Sequence, residues 1–285
     1  MNAERGAASM HRMGRAGRGR CAFAASILAL VGPWTAMTAA NAQAQRQHGA
    51  TFTQAPAFSA MRLGPIGRSD QAAKAADDAP HWRFIGLPRQ TKPATRFEVV
   101  EQDGRRVMSL AADASYGNLV WGAGGLVLEQ SAKLRWSWRL DRGLPRSDLS
   151  QKAGDDSPLK VCASFDMPID GLSFGERARL RIARTLSGEP LPSATLCYLW
   201  DRLLPEGTLL ANAFTERVRF VVASSGEARV GQWITQERPL AQDFLRAFGH
   251  ETKTLPPLSA LLVGADADNT QGSSLGYVGD VTLAP

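Results

Sequence analysis

The densest group of residues able to carry chemistry is Asp155-Asp156, which follows Gly154 and lies just after Lys152. Adjacent acids on a turn entering a strand point in different directions, so one can face a cleft while its neighbour braces the turn. Such a pair could hold a hard cation or supply one half of a general acid/base pair. The plain alternative is a polar turn in which Asp caps backbone N–H groups.

Asp266-Ala267-Asp268-Asn269 is the second group. Alternate acids that end an apolar strand can share a face and offer oxygens to Ca²⁺. Asp280, after Gly279, would close against them if the last strand lay alongside. Asp266, Asp268, Asn269 and Asp280 are therefore a candidate structural calcium site. The run is not an EF-hand loop, since the later Gly and the bidentate Glu are missing. Ordinary turn chemistry explains it as well.

Aromatic residues offer a third signal. Tyr198 and Trp200 end an apolar run beside Asp201 and Arg202. At such a place they could line a cleft and stack on sugar rings, with burial in the core as the alternative. Trp136 and Trp138 share the apolar face of their own strand and belong to the core.

Other chemistries lack their residues. Beyond the first 44 positions the histidines are His48, His81 and His250, scattered along the chain. No His- or Cys-rich cluster suggests zinc. Gly122-Ala123-Gly124-Gly125 reads as a turn that opens no helix, so it is no phosphate cradle. No cofactor is expected apart from the candidate calcium.

Those residues need elements to position them, and from Trp82 onward the chain has the texture of many short strands. Arg96–Glu101 and Val107–Ala111 flank Asp103-Gly104, a common hairpin punctuation. Lys133–Asp141 alternates strictly, with Leu134, Trp136, Trp138 and Leu140 on one face. One face buried and one wet implies an antiparallel sheet. Further strands are expected at Leu159–Phe165, Ala194–Trp200, Arg217–Ala223, Leu258–Gly264 and Tyr277–Leu283, with helices at Phe174–Thr185 and Pro239–Phe248. This pattern predicts a mainly all-β antiparallel sandwich or jelly roll with one or two short helices. Cys162 and Cys197 lie inside two of the apolar runs, as either a disulfide or two buried thiols.

Residues 1–44 read as a signal peptide. Arg5, Arg12, Arg15, Arg18 and Arg20 precede an uncharged run, Cys21–Ala40, and Ala42-Gln43-Ala44 is a cleavage pattern before Gln45. A membrane anchor is the other reading of that run. Translation could also begin at Met10 or Met13. Residues 45–80 are expected to be a flexible lead-in, and 81–285 a single β-sandwich domain. The expected location is periplasmic or secreted, with no membrane span after cleavage. Removing five arginines and one glutamate with the leader takes the net charge from +6 to +2. The calculated pI therefore offers no ground for a nucleic-acid or membrane-surface role, since no basic run clusters in the remainder.

Seven segments, in order over roughly residues 83 to 283, resemble the bacterial family called domain of unknown function 3047. They are Leu134-Arg135-Trp136-Ser137-Trp138, Lys152-Ala153-Gly154-Asp155-Asp156, Tyr198-Leu199-Trp200, Gly231-Gln232-Trp233, Asp243-Phe244 with Phe248-Gly249, Asp266-Ala267-Asp268-Asn269-Thr270, and Tyr277-Val278-Gly279-Asp280. The resemblance implies a secreted β-sandwich, similar in outline to lectin-like and carbohydrate-binding folds, and no established activity. One departure is Ser157-Pro158-Leu159-Lys160, where the family has an aromatic and then Arg. Lys160 would replace that Arg without its bidentate geometry.

The expected function is a periplasmic binding module for a glycan, another polar ligand or the cell envelope. Lys152, Asp155, Asp156, Lys160, Tyr198 and Trp200 would surround the site. One alternative is a glycan-acting hydrolase or lyase with Asp155 or Asp156 as acid or base. The other is a structural envelope protein without a small-molecule ligand.

Overall fold

Strict alternation becomes a half-buried strand in β6 (Lys133–Arg142), where every second side chain from Leu134 to Leu140 is buried. Continuous apolar runs instead give β7 (Lys160–Phe165) and β8 (Ala194–Asp201), each buried along its whole length. The computed structural model describes residues 54–66, 81–87, 89–187 and 191–285. The expected signal peptide lies outside them.

The remaining strands are β1 (Gly64–Ile66), β2 (Arg83–Ile85), β3 (Arg96–Gln102), β4 (Arg105–Asp113), β5 (Tyr116–Leu126), β9 (Leu209–Asn212), β10 (Thr215–Ser225), β11 (Ile234–Pro239), β12 (Leu258–Asp266), β13 (Ser273–Val278) and β14 (Thr282–Ala284). Among the described residues the helices are α1 (Phe174–Ser187) and α2 (Leu240–Phe248). Sheet A runs β1-β3-β4-β13-β6-β11 with β14 also on β6, and sheet B runs β2-β5-β12-β7-β8-β10-β9. The fold is a β-sandwich. All pairings between named strands are antiparallel except β8 with β10, which is parallel. A connection through β9 lets the chain return in the same direction.

The two sheets meet across aromatic pairs. Trp136 and Trp138 of sheet A pack on Tyr198 and Trp200 of sheet B, with ring centroids 5.3 and 6.1 Å apart. Phe165, Phe244 and Phe248 close one end, joined through α2. A second apolar cluster, Leu149, Cys162, Cys197, Leu199, Phe220 and Val222, covers part of the outer face of sheet B. Cys162 and Cys197 face each other across β7 and β8 and form a disulfide.

Three expectations change. Gly122–Gly125 is not a free turn but the end of β5, where Gly124 and Gly125 take φ of +63° and +78°. The partner strand β12 shifts register between Leu258 and Ala260 at this place, so a bulge uses the glycines without ending the sheet. Residues 54–66 are not a loose lead-in: Phe58 is fully buried against Trp82, and β1 pairs with β3. The strand expected at Tyr277–Leu283 divides into β13 and β14, both running along β6. Gly279 fills the gap and donates to the Ser137 carbonyl at 2.8 Å.

Candidate functional site

The outer face of sheet B is apolar at its centre and polar at one end. There β5 begins, β7 begins and β12 ends, and their register sets Asn118 opposite Gly264 and Gly264 opposite Lys160. Gly264 is required by close approach. A Cβ there would collide with Asn118 Oδ1 and come within 3.0 Å of Lys160 Cε. The missing side chain lets Lys160 and Asn118 lie over the strand.

Lys160 Nζ donates to Asp266 Oδ2 at 2.8 Å, and both side chains are largely buried. Its ammonium also lies 5.3 Å from the centre of the Tyr116 ring. Burial works against the Lys160 charge, yet Asp266, Tyr116 and Asp155 hold its pKa above the ordinary value. Burial likewise raises the Tyr116 hydroxyl, which accepts from Asn118 Nδ2 at 3.1 Å.

Asp155 and Asp156 enter from a 3-10 turn, Lys152–Gly154. Gly154 lies against the Asp148 backbone, where a Cβ would be 2.8 Å from both its N and its O. The two acids then divide their roles. Asp156 accepts from the backbone N–H groups of Asn269 and Thr270, at 3.1 and 2.6 Å, and so clasps the turn after β12. Asp155 accepts from Asn212 Nδ2 at 2.5 Å. Burial first, and the negative charge of Asp266 second, push its carboxyl up to about 6.

Beyond Asn212 comes the two-residue loop between β9 and β10, and it presents Phe214 to solvent at 59% exposure. Asn212 Oδ1 accepts from the Phe214 backbone N–H at 2.9 Å and fixes the loop, while Lys152 Nζ lies 5.4 Å from the Phe214 ring centre. Asn212 therefore ties the loop that carries the exposed Phe214 ring to the Asp155 carboxyl.

Lys152, Asp155, Asp156, Lys160, Asp266 and Asn269 are brought together. Tyr198 and Trp200 are not. Both face the core, where Tyr198 donates to Asp243 Oδ2 at 3.0 Å and Trp200 Nε1 donates to the Gly226 carbonyl at 2.9 Å. All eight residues of β8 are buried, so its sequence carried no alternation to tell one face from the other. The aromatic residue at the cluster is Phe214 instead. Tyr116, Asn118 and Asn212 were also missed, although a polar Asn at the head of an apolar run is a readable signal.

The calcium set does not converge. Asp280 accepts from the Ser59 backbone N–H and hydroxyl, at 2.9 and 2.6 Å. It sits beyond the far end of β13 from the Asp266–Asn269 turn, and six strand residues span about 20 Å. Asp266 meets the Ser157 N–H and the Lys160 ammonium, so a cation already occupies its side. Lys92 donates to the Asp268 carbonyl at 3.0 Å. Among the described residues no group of three or more His, Cys, Asp or Glu is placed to hold a metal. These residues do not fit a calcium loop.

Two packed sheets with a polar cluster at one end of an outer face define a β-sandwich protein. The chain belongs to the family described as protein of unknown function DUF3047, which matches residues 80–282. No curated protein matches it. Among solved structures, a cellulase derived from Cel12A of Rhodothermus marinus is 12% identical, with 71% of this chain and 95% of that one covered at a TM-score of 0.34. A structure of domains CD of another protein is 11% identical, covering 78% of this chain and 66% of that one at 0.31. A structure with a xylogluco-oligosaccharide is 9% identical, covering 81% and 38% at 0.28. The fold assignment rests on the strand pairings above and not on these likenesses.

Proposed function

We propose that this chain is an exported, extracytoplasmic binding module that takes a glycan at the Asp155–Phe214 end of sheet B. The observation that carries the reading is the pairing of an exposed aromatic face, Phe214, with the Asp155 carboxyl through Asn212. A sugar needs both surfaces: an apolar ring face to stack on its C–H side, and acceptors and donors for its hydroxyls. Lys152, Asn212 and Asp155 supply the second, with Lys160 and Asp266 behind them. Asp156 and Asn269 hold the turn and are positioning residues.

A glycan-acting enzyme is the second reading, and the raised carboxyl of Asp155 near Asp266, which is paired with Lys160, favours it. A carboxyl near 6 can hold a proton to donate at mildly acidic pH, and a second carboxyl, Asp266, lies close by on the Lys160 ammonium.

Co-sedimentation with insoluble glycans, peptidoglycan included, tests both, with the supernatant assayed for released sugar. Protein in the pellet without released fragments is the expected outcome, and fragments would make it an enzyme. Phe214→Ala removes an exposed ring, so it should weaken pelleting at least about tenfold with the melting temperature unchanged. Asp156→Asn should do the reverse, lowering the melting temperature first. If Phe214→Ala and Asp155→Asn both pellet like the parent, the glycan site is elsewhere or absent.

A further inference from the structure

Helix α1 turns an apolar stripe to solvent on the side away from its packing. Ser173 and Glu176 form its N-terminal capping box: Ser173 Oγ donates to Glu176 Oε2 at 2.9 Å, and the Glu176 N–H returns to Ser173 Oγ at 3.3 Å. Glu176 also meets Arg217 of β10 at 3.1 Å, and Leu180 is buried beneath the helix. At 100° per residue Phe174, Ala178 and Ile182 follow one another along the opposite side. Phe174 is 80% and Ile182 59% exposed. Helix α1 is therefore anchored with its apolar stripe facing out.

Arginines border that stripe. Arg177 and Arg181 join Phe174, Ala178 and Ile182 in lining a shallow groove, and no acid lines it. Arg179 is exposed on the other flank. The helix holds four Arg and one Glu, and the Glu is engaged with Ser173 and Arg217. In the sequence these arginines alternate with apolar residues and form no basic run, so a membrane-surface role could not be read there. Helical winding is what collects them.

We propose that α1 is a docking face for the surface of an anionic phospholipid bilayer. Phe174 and Ile182 would enter the boundary between headgroups and acyl chains, while Arg177, Arg179 and Arg181 lie among the phosphates. Apolar residues flanked by arginine, on a rigid helix with its acid turned inward, are the chemistry such a surface recognises. The helix lies in the interface and does not cross it: no helix among the described residues is long and apolar enough to span a membrane.

The test uses the chain from Gln45 onward, because Cys21–Ala40 would enter lipid by itself and every contact described above lies within residues 54–285. Sedimentation is measured with vesicles of phosphatidylcholine alone and of phosphatidylcholine mixed with phosphatidylglycerol. The protein should pellet with the mixed vesicles and not with the neutral ones, and salt should release it. Phe174→Ser with Ile182→Ser should weaken this at least about tenfold, and Arg177→Gln with Arg181→Gln about tenfold. All four positions lie off the buried side of the helix, so melting temperatures should not move. Failure to pellet with anionic vesicles would overturn the proposal, as would equal pelleting of the serine variant. Binding to immobilised polyglutamate without binding to vesicles would overturn it in favour of an acidic protein partner. Glycan pelleting of the serine variant stays at the parent's level in every case, which keeps this outcome separate from that of the Phe214 site.

Discussion

Two of the places where the described residues bury charge are built differently. Beneath α1, Arg217 and Arg219 of β10 each reach Glu251 at 2.5 Å, and Arg217 also meets Glu176. The Arg219 guanidinium further lies over the Phe248 ring at 4.3 Å. The acids and cations there meet one another through matched, partly forked contacts. At the end of sheet B, Asp155, Asp266 and Asp268 face Lys160 and Lys92, and Asp155 has a neutral amide as its hydrogen-bond partner. A matched cluster answers its own desolvation, as a structural anchor must. An unmatched one leaves a carboxyl to be satisfied by what arrives from outside.

The largest effect should come from unbalancing the matched cluster. Glu251→Gln removes the negative charge between two buried arginines and should cost about 3 kcal/mol or more, lowering the melting temperature by roughly 10 °C. Calorimetry checks it, and glycan pelleting of the folded variant should be unchanged. A variant as stable as the parent would erase the distinction between the clusters.

Asp155→Asn should act in the opposite sense on stability. Burial raises the carboxyl to about 6 from an ordinary 3.8, so the folded chain holds this proton more tightly than the unfolded one. The stability it contributes is full below about pH 4 and is lost as the pH rises through about 6. At pH 7 the charged parent therefore bears a penalty of at most about 3 kcal/mol, which the amide does not. The variant should melt no lower than the parent at pH 7, and its melting temperature should fall less between pH 4 and 6. A clear loss of stability at pH 7 would make Asp155 a structural residue like Glu251.

Calcium should have the smallest effect. With Lys160 on Asp266 and Asp280 held by Ser59, EDTA or added Ca²⁺ should leave the melting temperature within about 1 °C. A rise of several degrees in Ca²⁺ would mean that Asp268 and its neighbours rearrange into a site absent from this arrangement.

What the sequence made legible followed from how local each signal is. The Asp103-Gly104 turn between β3 and β4, with both φ positive, and the alternation of β6 depend on neighbours in the chain and were readable. The parallel pairing of β8 and β10 was not, because parallel neighbours depend on a crossover and leave no local mark. The site divides along the same line. Asp155, Asp266 and Lys160 were readable as candidates, since acids and a lysine at strand ends are conspicuous. Their meeting point was not, because it depends on the register of β12 between β5 and β7. Asp280 was misassigned for that reason: its neighbour is decided by where β13 stops on β6. Phe214 was passed over because β9 is only four residues long and carries no burial pattern.

The order of strands has a consequence for how the chain is made. β12 lies between β5 and β7 in sheet B, and β13 lies between β4 and β6 in sheet A. Residues 258–285 thus supply an inner strand to each sheet. Until they leave the ribosome, both sheets are pairs of unjoined halves with open edges, and a nascent chain has no complete layer to settle into. A stop codon before Leu258 would cost the whole domain, whereas one of the same length trimmed from a typical terminus would cost only an end.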